Sequence, residues 1–200
     1  MIKFIIPLLF CCSLQAQIVL NGATFRGATV GTTNAASGGG GLPCTPSYAN
    51  LGGTGDRTVA TGNGSIVVTD NSVPSIGDSS KWVNGIIAPE GNFFNNGALP
   101  VGNWFQFDFG IGNSVLITEA KYYQETSVTQ GIWKWQSSDD AGSWTDIGSS
   151  FTLGGTTTQT ITELSGNTTK HRYYRIVVVS GNGNAGPWVF EFEFKICGIP

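Results

Sequence analysis

Charged residues are scarce in this chain. Asp, Glu, Lys and Arg make up 12% of its 200 residues, about half the usual share. The net charge is −3 and no stretch gathers Lys or Arg. Nucleic acid is held by clustered cations, so it is excluded as a partner. There is a single His, His171, which leaves general acid–base chemistry short of its commonest group. No His-Glu-x-x-His, nucleophile elbow or Cys-x-x-Cys occurs. The usual signatures of zinc and serine hydrolases are therefore absent. The apolar run Phe4 to Cys12 is too short to span a bilayer, so no transmembrane segment is expected. The carboxylate pairs have plain explanations: Asp139-Asp140 suits a turn, and Glu191 with Glu193 suits the solvated face of a strand. The chain reads as a non-enzyme.

What is present is turn and strand chemistry. There are 29 Gly, twelve Phe and six Trp. Trp104-Phe105-Gln106-Phe107-Asp108-Phe109-Gly110 alternates strictly, so Phe105, Phe107 and Phe109 share one face of an extended strand. Three aromatics in register need a core, and the Gly ends the strand. Trp188 to Ile196 repeats the pattern. Trp188, Phe190, Phe192, Phe194 and Ile196 are expected on one face, and Glu191, Glu193 and Lys195 on the other. Further strands are expected at 58–69, 115–123, 131–137, from Trp144, at 157–164 and at 172–179. Short strands with frequent turns and no helical period predict an all-β fold, an antiparallel β-sandwich or jelly roll. The long segment from Asp70 to Gly102 holds Trp82, Phe93 and Phe94 amid Asn, Gly and Pro, and loops of this length are often functional.

Residues 1–17 carry Lys3, an apolar stretch and Ser13-Leu14-Gln15-Ala16. This reads as a secretory signal peptide, or alternatively as an apolar arm that packs into an assembly. Residues 18–43 have the composition of a Gly-rich linker. Cys11 and Cys12 fall in the first segment. Cys44 and Cys197 bracket the strand-rich body. In an oxidising compartment they would join its ends, worth about 5 kcal/mol in the chain-entropy model; otherwise they are two separate thiols.

Four motifs in order carry a resemblance. Trp104 to Gly110 resembles the "G-x-W-h-x-h-D-h-G" strand of discoidin, or coagulation factor 5/8 type C, domains, where h is apolar. Trp135-Gln136-Ser137-Ser138-Asp139-Asp140-Ala141-Gly142-Ser143-Trp144 resembles their "S-x-D-G-x-x-W" hairpin. Arg172-Tyr173-Tyr174-Arg175-Ile176 is similar to "R-Y-h-R-h", and Glu191 to Phe194 to the closing strand. The resemblance covers 44–198 and implies a galactose-binding-like sandwich, whose bacterial and viral branch largely binds carbohydrates. It implies a Cys44–Cys197 disulfide. It also implies a structural calcium near Asn84 and Glu191.

In that family three loops meet the ligand. Here they are 75–96, with Trp82, Asn84, Phe93, Asn95 and Asn96; 124–130, with Gln124, Glu125 and Gln130; and 181–188, with Asn182, Asn184 and Trp188. An aromatic ring stacks on a sugar face while amides and carboxylates take its hydroxyls. The leading expectation is a non-catalytic glycan-binding module, secreted or displayed at a surface. The alternative is a self-assembling appendage of a virion or extracellular filament. Membrane lipid binding ranks last, because the loops are almost without cations.

Overall fold

The computed structural model describes residues 46–48, 66–71, 76–92, 94 and 96–197. The expected signal segment, the linker, Cys44, Phe93, Asn95 and most of the strand expected at 58–69 lie outside the described residues.

The strands in chain order are β1 (Ser47–Tyr48), β2 (Val67–Asp70), β3 (Ile76–Gly77), β4 (Gly91–Asn92), β5 (Gly97–Ala98), β6 (Trp104–Asp108) and β7 (Leu116–Gln124). They continue with β8 (Thr129–Ser138), β9 (Thr145–Gly154), β10 (Thr158–Ile161), β11 (Tyr173–Ser180), β12 (Asn182–Gly183) and β13 (Val189–Cys197). Two short 3-10 turns, Ser79–Val83 and Glu163–Gly166, complete the set. One sheet runs β10-β7-β13-β4-β3, with β1 also paired to β13. The second runs β2-β6-β11-β8-β9. Among the described residues every strand pair is antiparallel. This is the expected all-β antiparallel sandwich.

The alternating aromatics build its core. Phe105, Phe107 and Phe109 are buried from one sheet, Phe192 and Phe194 from the other. Phe107 meets Phe194 edge-on at 4.8 Å and Phe192 at 5.4 Å. Edge-to-face packing suits the ring quadrupole. Trp82 enters this core from the first 3-10 turn, 4.3 Å from Phe105 and 5.5 Å from Phe192. Asp78 caps that turn by accepting from Ser80 N at 2.9 Å.

Edges and ends are tied down by side chains. At the β9 edge, Gln159 donates to Thr152 O (2.6 Å) and accepts from Gly154 N (2.7 Å). An otherwise open ladder is thereby closed to other chains. Arg172 clamps Asp108 through two bonds of 2.7 Å. Burial raises the Asp108 carboxyl, but Arg172 and the Gly110 amide outweigh it and hold it below the ordinary range. The Tyr174 hydroxyl donates to Val115 O at 2.7 Å and accepts from Asn167; burial pushes it up to about 12. Cys197 is fully buried and disulfide-bonded. The chain has three other cysteines, all outside the described residues.

Two sequence expectations are corrected. Glu191 and Glu193 are not solvated; both are buried. Glu191 accepts from Gly85 N at 3.0 Å and Glu193 from the Tyr123 hydroxyl at 2.8 Å. The second correction concerns the start of β13. Its register against β7 shifts between Val189 and Glu191. A bulge moves the phase by one residue and exchanges the two faces. Phe192 and Phe194 point inward as expected, but Val189 takes the buried position ahead of them, and Phe190 and Trp188 are half-exposed.

Candidate functional site

That bulge is what brings Trp188 to the rim. The rest of the site follows from polar groups that join three loops at one end of the sandwich. Gln130, at the start of β8, is completely buried. Its Nε2 donates to Asn184 O at 3.0 Å and its Oε1 accepts from Asn184 N at 2.8 Å. The pairing fixes which end of the amide is which. Asn96 Oδ1 accepts from Ala185 N at 2.8 Å, and Asn92 Nδ2 donates to Ala185 O. β5 pairs with β12, placing Ala98 opposite Asn182. The 91–98 and 181–188 segments thus form one unit.

The third loop joins through Glu125. Its amide donates to Trp188 O at 2.9 Å, and its Oε2 accepts from Trp188 N at 3.2 Å. Trp188 is held by its backbone on both sides, leaving the indole half-exposed. Gln124 organises that loop from inside: Nε2 reaches the carbonyls of Thr126 (2.7 Å), Val128 (2.7 Å) and Thr156 (3.2 Å). Glycines allow the close approach. A Cβ on Gly131 (φ 76°) would stand 2.9 Å from Ser180 O and 2.6 Å from Leu99 Cδ1. Only Gly fits there without displacing the backbone at the end of β11, which leads into the third loop.

The expected ligand residues therefore divide. Glu125, Asn182, Asn184 and Trp188 lie together at the rim with exposed or half-exposed side chains. Trp82, Gln124 and Gln130 are corrected. Trp82 has no exposed surface, and the two glutamines spend their amides on backbone groups, with 1% and 0% exposure. They hold the loops and offer a ligand nothing directly. Phe93 and Asn95 lie outside the described residues. Asn96, expected in the first loop, is exposed at the rim; Asn92 belongs to the rim too and was missed, because an Asn beside Gly91 resembles any turn residue in sequence.

The rim carries no cation. Residues 84–103, 124–132 and 181–188 contain no Lys or Arg. Glu125 is the exposed carboxylate there. Among the described residues no group of three or more His, Cys, Asp or Glu could hold a metal ion.

Asn84 and Glu191, the calcium positions that the resemblance implies, are neighbours through Gly85. Yet Gly85 N–H donates to Glu191 Oε1, and Asn84 Oδ1 accepts from Ile86 N at 2.8 Å. Asn84 Nδ2 turns to Glu90 at 2.9 Å. Calcium needs six to eight oxygens aimed at one point. Asn84 Oδ1 and Glu191 Oε1 already receive N–H donors, and Asn84 adds no charge, so these two side chains make a poor start to such a cage.

The opposite rim holds a cleft of about 220 Å³ lined by Ser137, Asp146, Asn167, Thr168 and His171, among others. His171 Nδ1 faces Asp139 at 3.2 Å. Asp146 is taken by Lys134 and Gln136, and Asn167 by Ile117 O and Tyr174. Its polar groups are mostly committed within the protein.

No family model matches the chain, and no curated protein matches it significantly. Solved structures are similar. One is the C-terminal domain of a chitobiase from Bacteroides fragilis, at 16% identity and TM-score 0.47, covering 68% of this chain and 94% of that one. Another is a family 32 carbohydrate-binding module of Clostridium perfringens NanJ in complex with galactose, at 14% and 0.46, covering 64% and 92%. A third is a chitosan-binding module of a Paenibacillus chitosanase/glucanase in complex with chitotriose, at 22% and 0.46, covering 66% and 96%.

Proposed function

We propose that this protein is a non-catalytic carbohydrate-binding module and that the three-loop rim is its glycan site. The observation that carries this is the rim's construction. A half-exposed indole, Trp188, is clamped by backbone bonds beside the exposed carboxylate of Glu125, with the amides of Asn96, Asn182 and Asn184 around it. A sugar needs an aromatic face for its C–H groups and fixed polar groups for its hydroxyls. The loops are preorganised by Gln124 and Gln130, so little ordering remains to be done on binding. Catalysis would need at least a second positioned titratable group; of the described rim carboxylates Glu125 is exposed, while Glu90 is mostly covered and tied to Asn84 and Lys81. The absence of cations favours neutral sugars there. Secretion is the compatible location: a buried disulfide at Cys197 persists in an oxidising compartment, and no described helix is long and apolar enough to cross a membrane.

The test is a glycan array followed by calorimetry on any hit. Trp188→Ala should weaken binding by at least tenfold and leave the thermal midpoint nearly unchanged. A wild-type protein that binds no glycan, or a Trp188→Ala variant of unchanged affinity, would refute the reading.

A further inference from the structure

The outer face of the five-stranded sheet is a second candidate surface, remote from the loops. Side chains alternate along each strand, so Trp104, Gln106 and Asp108 on β6 stand opposite the buried Phe105 and Phe107. Register lays them beside β11 and β8. Gln106 pairs with Arg175, and Arg175 with Gln136; Trp104 pairs with Val177, and Asp108 with Tyr173. A polar row of Gln106, Arg175 and Gln136 therefore crosses three strands, spanning about 10 Å. Trp104 flanks it on one side and Tyr173 on the other. Tyr173 and Val177 are four residues apart, so the flanking rows are separated by about 13 Å. That length exceeds one pyranose ring. Trp104, Gln106, Gln136, Tyr173 and Arg175 are all half-exposed.

The charges on this face leave one cation over. Arg172 neutralises Asp108, and Lys134 neutralises Asp146 at 2.5 Å. Gln136 takes the second Asp146 oxygen at 2.6 Å. Arg175 forms no ion pair among the described residues. It is held flat: its Nε donates to Gln136 Oε1 at 2.7 Å, and its guanidinium lies 3.9 Å from the centre of the Trp144 ring. Its terminal nitrogens make no hydrogen bond among the described residues, and neither does the Gln106 side chain beside them. Burial pushes this guanidinium below its ordinary value and outweighs the opposing pull of the Asp146 carboxylate, which is itself bonded to Lys134 and Gln136.

From this arrangement we infer that the outer sheet face binds an extended acidic polysaccharide. A sugar carboxylate meets the Arg175 fork and Gln106, and a neighbouring ring rests on Trp104; the Tyr173 ring, which carries the Arg172 guanidinium at 4.5 Å, bounds the row on the other side. An arginine fork takes a carboxylate through paired, charge-assisted bonds. The surface is separate from the rim, which has no cation and would repel the same ligand through Glu125.

The experiment is calorimetry of the full chain with an oligogalacturonate and with its methyl ester, which keeps the backbone and removes the charge. The acid should bind, at least tenfold more tightly than the ester, and more weakly as salt rises. Gln106→Glu changes a half-exposed side chain that makes no hydrogen bond among the described residues, so its thermal midpoint should stay near that of the wild type. It should cut affinity for the acid at least tenfold. Arg175→Lys should lose the fork and weaken binding as well. Trp188→Ala should bind the acid like the wild type, which separates this surface from the rim. The inference is overturned by a wild type that does not bind the acid, by equal affinity for acid and ester, by an unaffected Gln106→Glu, or by loss of binding in Trp188→Ala. A wild-type dimer that Gln106→Glu dissolves also overturns it, since a second copy would then occupy the face.

Discussion

Replacing Gln130 should loosen the rim without touching any group a glycan meets. Its carboxamide makes two bonds, both to the backbone of Asn184, and it is fully buried. A buried neutral hydrogen bond contributes about 1 kcal/mol, and a buried group left unpaired costs about 1–3 kcal/mol more. Asn184 is half-buried, so water can partly replace the lost partner. The expected cost of Gln130→Ala is therefore about 2–4 kcal/mol. For a domain of this size, 2 kcal/mol corresponds to about 4–8 °C in the thermal midpoint. Gln130→Glu sharpens the test. It keeps the volume and the acceptor for Asn184 N, but it turns an oxygen toward Asn184 O and buries a charge with no partner. The isostere should be at least as destabilising as the truncation at neutral pH, and should recover as the pH falls and the carboxyl is protonated. Chemical denaturation measures the loss, and hydrogen exchange at the Asn184 amide localises it. An isostere that behaves like the wild type, or unchanged Asn184 protection in Gln130→Ala, would refute the reasoning.

Three further outcomes are expected. The depressed carboxyls of Asp78, Asp108, Asp140 and Asp146 supply stability that is present above about pH 3.8, the ordinary Asp value, and is lost as pH falls through their lower folded values. Asp108→Asn should therefore be less stable than wild type at neutral pH and show a smaller acid loss; an identical acid limb by circular dichroism would count against the Arg172 clamp. Calcium should leave the thermal midpoint where EDTA leaves it, and a rise of several degrees with millimolar calcium would show that the Asn84 and Glu191 region rearranges into a site. Peptide mapping without reductant should find Cys197 joined to Cys44, and Cys44→Ser should cost about 2–5 kcal/mol; a bridge from Cys197 to Cys11 or Cys12 would contradict the pairing.

The layered fold was legible because period-two burial leaves a plain trace. Phe105, Phe107 and Phe109 could only be buried together, and Phe192 and Phe194 gave the opposing layer. The rim was half legible. Glu125, Asn182, Asn184 and Trp188, read from the sequence as loop residues, do come together at one rim, but Gln124 and Gln130 looked no different from their exposed neighbours. A glutamine that ties loop carbonyls together has the same sequence signature as one that greets a ligand. Only the path of the backbone decides, and that path depends on long-range partners such as Asn184 and Thr156. The bulge in β13 was invisible for a related reason. Trp188-Val189-Phe190 is apolar at every position, so alternation could not say which residue faces inward. Glu191 and Glu193 misled because acidic residues are seldom buried, and their partners, the Gly85 amide and the Tyr123 hydroxyl, lie far away in the chain.

The proposal that the three-loop rim is a glycan site is tested most directly by NMR titration of the isotope-labelled protein with an array-identified glycan. Saturable shifts should appear at the Trp188 indole N–H, at the Glu125 amide and along 182–186, while the Trp82 indole in the core stays still. Shifts confined to the His171 end of the sandwich, or none at any rim residue, would contradict it.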